Sequence, residues 1–316
     1  MLSRTATSLW LLGRQLERSD HLARILGVHV RLSLDRATEP GSGFWTGFMT
    51  LAGWADSDVD RGSQAVELVV AGSAGPSVRL SVAAARSAAQ VVRPTLPSEV
   101  YEHLNALYWR VQEVDWQRDL DDFLADVQMS IRLLDGLLED TMAHDEARDF
   151  VRLGKFLERA SNVVSVVIRK SGQLAETPED TLEWTAVLKA CFGYESYRSR
   201  VSGPVTPPGV IAFLLLDPDL PRSARFSIAQ ALGSVHRIDG PRARSRPGRQ
   251  LGRLNALIQA TEPARLAAAP AEFESAFRAL LQQLEASLRE TYFHPSRVAS
   301  AVPGDASGRV PQQQQQ

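Results

Sequence analysis

The sequence holds one cysteine, Cys191, so no internal disulfide can form and nothing points to an oxidising compartment. Long apolar runs are missing as well. No stretch approaches the roughly 18 uncharged apolar residues of a membrane span. The N-terminal run Leu9 to Leu12 is too short for a signal sequence and is followed by Gly13-Arg14. A cytoplasmic protein that does not enter membranes is the expectation. Charge of one sign is not in excess either. The formal net charge of −2 creates no field that would draw nucleic acid or an anionic surface. The six histidines are scattered, and neither His-x-x-x-His nor Cys-x-x-Cys occurs, so no metal site is expected. Gly41-Ser42-Gly43 lacks the Gly-Lys-Ser/Thr that completes a phosphate-binding loop, and reads as an ordinary loop. No Gly-x-Ser-x-Gly elbow is present, and no cofactor is expected.

What remains is helix. Apolar residues make up 44% of the 316 residues, enough for a sizeable core. They recur at helical spacing: Leu9, Leu12, Leu16, Ala23 and Leu26 fall on one face of a helix over about 5–30. Further helices fit 44–55, 64–71, a segment from Gly75-Pro76-Ser77 to Pro94, and one beginning at Pro97-Ser98-Glu99. Long helices fit 116–141 and 145–171, with His144-Asp145-Glu146 as the cap of the second. Beyond Gly172 the expected helices are 178–192, 208–215, 222–234 and a single long one over 264–292. Residues 210–216 are apolar throughout and fit a buried strand or helix; helix is expected because no partner strand is evident. Arg237 to Arg253 reads as a solvated loop running into a helix start, with arginines at 237, 242, 244, 246, 249 and 253 that could meet an anion. The tail from 294, ending in five glutamines, reads as disordered. The fold class is therefore all-α, a multi-helix bundle in one domain over 1–293.

One pattern occurs twice. A shift of 141 residues aligns Gly13-Arg14-x-Leu16-Glu17-Arg18 with Gly154-Lys155-x-Leu157-Glu158-Arg159. At about 100° per residue, each copy puts an apolar stripe beside a polar one. In the first copy the polar stripe is Gly13, Glu17, Asp20 and Arg24; in the second it is Gly154, Glu158 and Ser161. Both helices are also apolar on a further side, so burial on two sides is expected. The polar stripe is then an internal ion-pair seam, a groove for a ligand or partner, or a site where Glu17 or Glu158 acts as a general base. In the first case Glu17 would pair with Arg159 and Glu158 with Arg18 across a pseudo-twofold axis. The glycine one turn before each glutamate lets another helix or a ligand approach closely.

Several motifs in order resemble the bacterial alpha-E domain family: the opening Met-Leu-Ser-Arg-Thr-Ala, Leu12-Gly13-Arg14-x-Leu16-Glu17-Arg18, Ala85-Arg86 through Arg93, Tyr101-Glu102-x-Leu104-Asn105, and Phe213-Leu214-Leu215-Leu216-Asp217 with Pro221-Arg222-Ser223. Ser87 and Ala88 depart from the family's acidic and amide residues after Arg86. The resemblance runs over residues 1 to about 293. It implies an all-helical fold, and association with a circularly permuted ATP-grasp ligase and a transglutaminase-like peptidase, in systems that make or trim peptide or amide bonds. The expected role is an accessory or scaffold subunit; the alternative is an enzyme with Glu17 or Glu158 as base in aminoacyl or peptide transfer. The candidate binding residues are Gly13, Arg14, Glu17, Arg18, Arg86, Arg93, Gly154, Glu158, Arg159 and Arg222. Arg222 enters because Pro221-Arg222-Ser223 starts a helix whose free N–H groups suit an anion.

Overall fold

A polar stripe flanked by two apolar sides can be buried only if neighbours cover the helix almost all round, and the repeated helices occupy such positions. A computed structural model of the chain describes residues 1–35, 42–54, 59, 61–174, 181–240 and 245–294. Among these residues the chain forms helices and turns and no strand. The helices are α1 (Ser3–Leu34), α2 (Ser42–Leu51), α3 (Gly62–Ala71), α4 (Val78–Val91), α5 (Ser98–Glu113), α6 (Leu120–Thr141) and α7 (Glu146–Leu174). They continue as α8 (Thr181–Ala190), α9 (Tyr194–Arg200), α10 (Pro207–Leu216), α11 (Ala224–Asp239), α12 (Arg246–Gln259), α13 (Pro263–Ala268) and α14 (Pro270–Leu288).

The first repeat helix, α1, packs on α7, α4, α6 and α8, while the second, α7, lies between α1 and α11. Leu9, Leu12, Leu16, Ala23 and Leu26 of α1 are buried on one side, and Leu22 and Ile25 on another. Helix starts are fixed by side-chain caps that satisfy otherwise orphaned N–H groups. Asp145 Oδ1 accepts from Ala147 N at 2.9 Å at the head of α7, and Asp119 Oδ1 from Asp122 N at 3.0 Å at the head of α6. At the head of α11, Ser223 Oγ accepts from Phe226 N at 3.0 Å.

The apolar run at 210–216 is helix α10, with Val210, Ile211, Phe213, Leu214 and Leu215 all buried. Other expectations need correction. Ser42 and Gly43 open α2 and are not a loop; Gly41 lies outside the described residues. Arg237 belongs to α11, and Arg246, Arg249 and Arg253 to α12, so the arginine-rich stretch is mostly helix; Arg242 and Arg244 lie outside the described residues. The long helix expected over 264–292 is interrupted at Ala269, because Pro270 cannot donate to the ladder of α13 and starts α14 instead. A short helix, α9, was not expected at all. The expected disordered tail lies, beyond His294, outside the described residues. Among the described residues no helix is long and apolar enough to cross a membrane.

Candidate functional site

The two repeat helices cross backbone to backbone at their glycines. A Cβ on Gly13 would sit 2.0 Å from the carbonyl oxygen of Val151, and one on Gly154 would sit 2.0 Å from that of Trp10. Residue 151 is the repeat partner of residue 10, so the two contacts are related by the pseudo-twofold axis. Only glycine allows this approach, because the obstructing atoms are main chain and cannot swing away.

One turn further along, the glutamates and arginines interlock across the crossing. Arg159 donates to both oxygens of Glu17, from Nε at 2.9 Å and Nη2 at 2.6 Å. In the mirrored position, Arg18 Nε donates to Glu158 Oε1 at 2.6 Å. These are the crossed pairs the repeat suggested. Each glutamate then receives a second arginine, and here the symmetry ends. Arg14 Nε donates to Glu158 Oε2 at 2.8 Å. Arg222, from the turn before α11, donates to Glu17 Oε1 at 2.9 Å and to Asp20 Oδ2 at 3.2 Å. Asp20 also pairs with Arg24, whose Nη1 reaches the carbonyl of Ala190 at 3.2 Å. Lys155, the repeat partner of Arg14, pairs with Asp135 of α6 at 2.9 Å. One ionic seam therefore ties together α1, α6, α7, the end of α8 and the head of α11.

Glu17, Glu158 and Arg159 are only 4–6% exposed. Burial by itself would raise the Glu17 pKa, but Arg159 and then Arg222 outweigh it and hold the carboxyl far below the ordinary range. Arg159 is raised in turn, because Glu17 outweighs the effect of its own burial. A general base works best with a pKa near the operating pH and a free oxygen facing the substrate. Glu17 has neither, and both oxygens of Glu158 are also occupied, so the geometry argues against the general-base alternative.

The other candidates divide. Arg222 joins the seam, whereas Arg86 and Arg93 engage α5. Arg86 Nε donates to Asn105 Oδ1 at 2.8 Å and its guanidinium lies 4.4 Å from the Tyr108 ring. Arg93 stacks 4.7 Å from the Tyr101 ring. Arg237 of the arginine-rich stretch is paired with Asp149 of α7 at 2.6 Å, and Arg246 with Glu290, so both, though exposed, are helical residues that already have a carboxylate partner. Cys191 is buried and burial pushes its thiol up to about 12, which leaves it protonated and a poor nucleophile. Among the described residues no group of three or more His, Cys, Asp or Glu is gathered for a metal. Asp20, Arg24 and Asp135 were absent from the candidates; the i, i+4 spacing of Asp20 and Arg24 on the polar stripe was the available signal for two of them.

His21 sits inside this seam and gives it a pH dependence. Burial lowers its pKa to about 4, although Glu17 and Glu158 oppose the shift. Between the ordinary value of 6.5 and about 4 the unfolded chain binds a proton that the folded chain refuses. Stability is therefore full above pH 6.5 and is lost as pH falls through that window, by on the order of 2 kcal/mol from pH 7 to pH 5. Urea unfolding at the two pH values should show this loss, and His21→Gln should remove most of it. An equal loss in the variant would assign the acid sensitivity elsewhere.

Residues 1–293 match the Alpha-E family, described as a predicted alpha-helical domain with a conserved ER motif. The chain belongs to the Alpha-E family. Its Glu-Arg steps at 17–18 and 158–159 are the two halves of the crossed clasp. Among curated relatives, the Alpha-E chain is 24% identical over 330 residues to the uncharacterized protein Rv2567 of Mycobacterium tuberculosis, covering 95% of this chain and 37% of that protein. The uncharacterized protein Mb2597 of Mycobacterium bovis matches with the same identity and coverage. The chain thus spans little more than a third of the length of these relatives. No solved structure matches it.

Proposed function

We propose that this Alpha-E chain is a non-catalytic binding module, an accessory or scaffold subunit of a cytoplasmic system that forms peptide or amide bonds, and that it docks an ATP-grasp-type ligase. A transglutaminase-like peptidase is the second candidate partner. The observation that carries the non-catalytic reading is the closed state of the seam: both oxygens of Glu17 and both of Glu158 are taken by arginines. Such a clasp fixes how the two helices dock and leaves neither glutamate an oxygen free for proton transfer. The module reading is supported by the longer relatives, in which the similar stretch is a minor part of the chain. ATP would bind on the ligase, in keeping with the lack of a phosphate-binding loop here.

Co-purification of the full chain with the candidate ligase, followed by ATP turnover by the ligase with and without it, tests this. The expected result is a stable complex and a change in ligase turnover. Glu158→Gln, in a variant shown to be folded, should leave that change intact. Failure to form a complex contradicts the partner, and turnover of a peptide substrate by the isolated chain contradicts the non-catalytic role.

A further inference from the structure

Beside the seam, an open cleft of about 870 Å³ lies between α1, α6 and α8. Its charge is unbalanced. Arg24, Arg31, Arg132 and Lys189 line it, against Asp35 and Glu195. Arg31 is paired with Asp121 at 3.1 Å, but among the described residues Arg132 reaches no carboxylate, its donors meeting Met129 Sδ at 3.3 Å and Gln128 Oε1 at 3.4 Å. Arg24 is 5% exposed, shares Asp20 with Arg222, and its buried Nε has no hydrogen-bond partner. A buried guanidinium N–H without an acceptor is costly and rarely left so.

Phe192 marks where these charges converge. Its ring centroid lies 4.0 Å from the guanidinium of Arg24, 4.7 Å from that of Arg132 and 5.1 Å from that of Arg222. The residue is 39% exposed and adopts φ 51°, the left-handed region. That position ends α8: Phe192 N donates to Lys189 O at 3.1 Å and Gly193 N to Leu188 O at 2.8 Å. Helices often close with a left-handed residue there, and it is usually glycine. A phenylalanine in this conformation is strained, and strain of this kind collects at ligand sites. Here it holds an aromatic face under cations that lack enough anions. Burial, and then Arg222, lower both Arg24 and Arg132 from the ordinary arginine value. Arginine keeps its proton in proteins, so the lowering marks charges that are partly desolvated first and crowded by the Arg222 cation second.

We propose that this cleft binds a small oxyanion, a carboxylate or phosphate bearing a short apolar group. The anion would lie between Arg24 and Arg132 at the edge of the Phe192 ring, and the apolar group would rest against Val28, Leu32 and Leu124, which line the same cleft. Planar guanidinium forks suit both anions, and the cleft's volume falls within the size range of small-molecule pockets. This site adjoins the Glu-Arg clasp, which it meets through Arg24 and Arg222, and does not rest on the ligase docking proposed above.

Isothermal titration of the full chain at constant ionic strength with hexanoate, hexyl phosphate and inorganic phosphate, with hexanol as neutral control, tests it. Hexanoate or hexyl phosphate should bind, and the tighter of the two identifies the anion as carboxylate or phosphate. Inorganic phosphate should bind more weakly than hexyl phosphate, and hexanol least of all. Arg132→Gln, at an exposed position, should fold normally and weaken binding by roughly tenfold to a hundredfold, the worth of one charged hydrogen-bonded contact. Phe192→Gly removes both the strain and the aromatic face and should also weaken binding with the helix content unchanged. The proposal is overturned if neither hexyl anion binds, if hexanol binds as well as they do, or if both variants bind like the parent.

Discussion

Replacing Gly13 or Gly154 by alanine is expected to cost more than about 3 kcal/mol, with outright failure to fold as the upper limit. Each new methyl would meet a main-chain carbonyl of the opposite helix at 2.0 Å, so relief requires the two longest helices to separate. Separation would stretch every ion pair one turn away, so the loss cannot stay local. The comparison that isolates the effect is Gly136→Ala in α6 or Gly252→Ala in α12. A Cβ at either position meets nothing within 4 Å. There the better helix propensity of alanine should raise stability by about 0.5–1 kcal/mol. Urea unfolding of the four single variants checks the prediction. Four similar values would mean that the crossing is looser than described.

The second large effect separates the two glutamates. Glu17→Gln should destabilise the fold by about 3–5 kcal/mol, the usual cost of leaving a buried charge without its partner. The side chains of Arg159 and Arg222 are only 7% and 17% exposed, so neither can recover full hydration once the carboxylate is gone; Arg222 keeps Asp20, whereas Arg159 loses its carboxylate partner. Glu158→Gln should cost less, about 1–3 kcal/mol. Its arginines, Arg14 at 24% and Arg18 at 30%, keep contact with water, and Arg14 retains Glu285 at 3.2 Å. The two positions are equivalent by repeat and differ by environment. Equal losses would show that the asymmetry introduced by Arg222 carries no energy.

The clasp was legible in the sequence because it rests on local periodicity and one fixed offset. The same spacing of glycine, glutamate and arginine in two helices makes crossed pairing between Glu17 and Arg159, and between Glu158 and Arg18, the natural outcome of docking about a pseudo-twofold axis. The second arginine on each glutamate divides by the same logic. Arg14 lies on the repeat itself, whereas Arg222 arrives from a turn 205 positions away in the chain, which no periodicity encodes. The grouping of Arg86 and Arg93 with the seam failed because Arg86, within α4, and Arg93, just after it, meet Asn105, Tyr108 and Tyr101 of the adjacent α5 instead. Helix ends carried by capping side chains were readable to within a few residues. The break at Ala269 was not, because the apolar pattern continues through Pro270 and masks the missing donor. Phe192 was hidden for a different reason. A left-handed phenylalanine next to a glycine has no sequence signature, since the glycine is the residue expected to take that conformation.

Glu17 and Arg159 should act as one buried unit across the helix crossing. A double-mutant cycle with Glu17→Gln, Arg159→Met and the combined variant, read by urea unfolding at pH 7, measures this directly. Removing both partners leaves no orphaned charge from that pair, so the double variant should be far more stable than the sum of the single losses implies. The expected coupling is about 2–3 kcal/mol, and a value below about 0.5 kcal/mol would contradict the clasp.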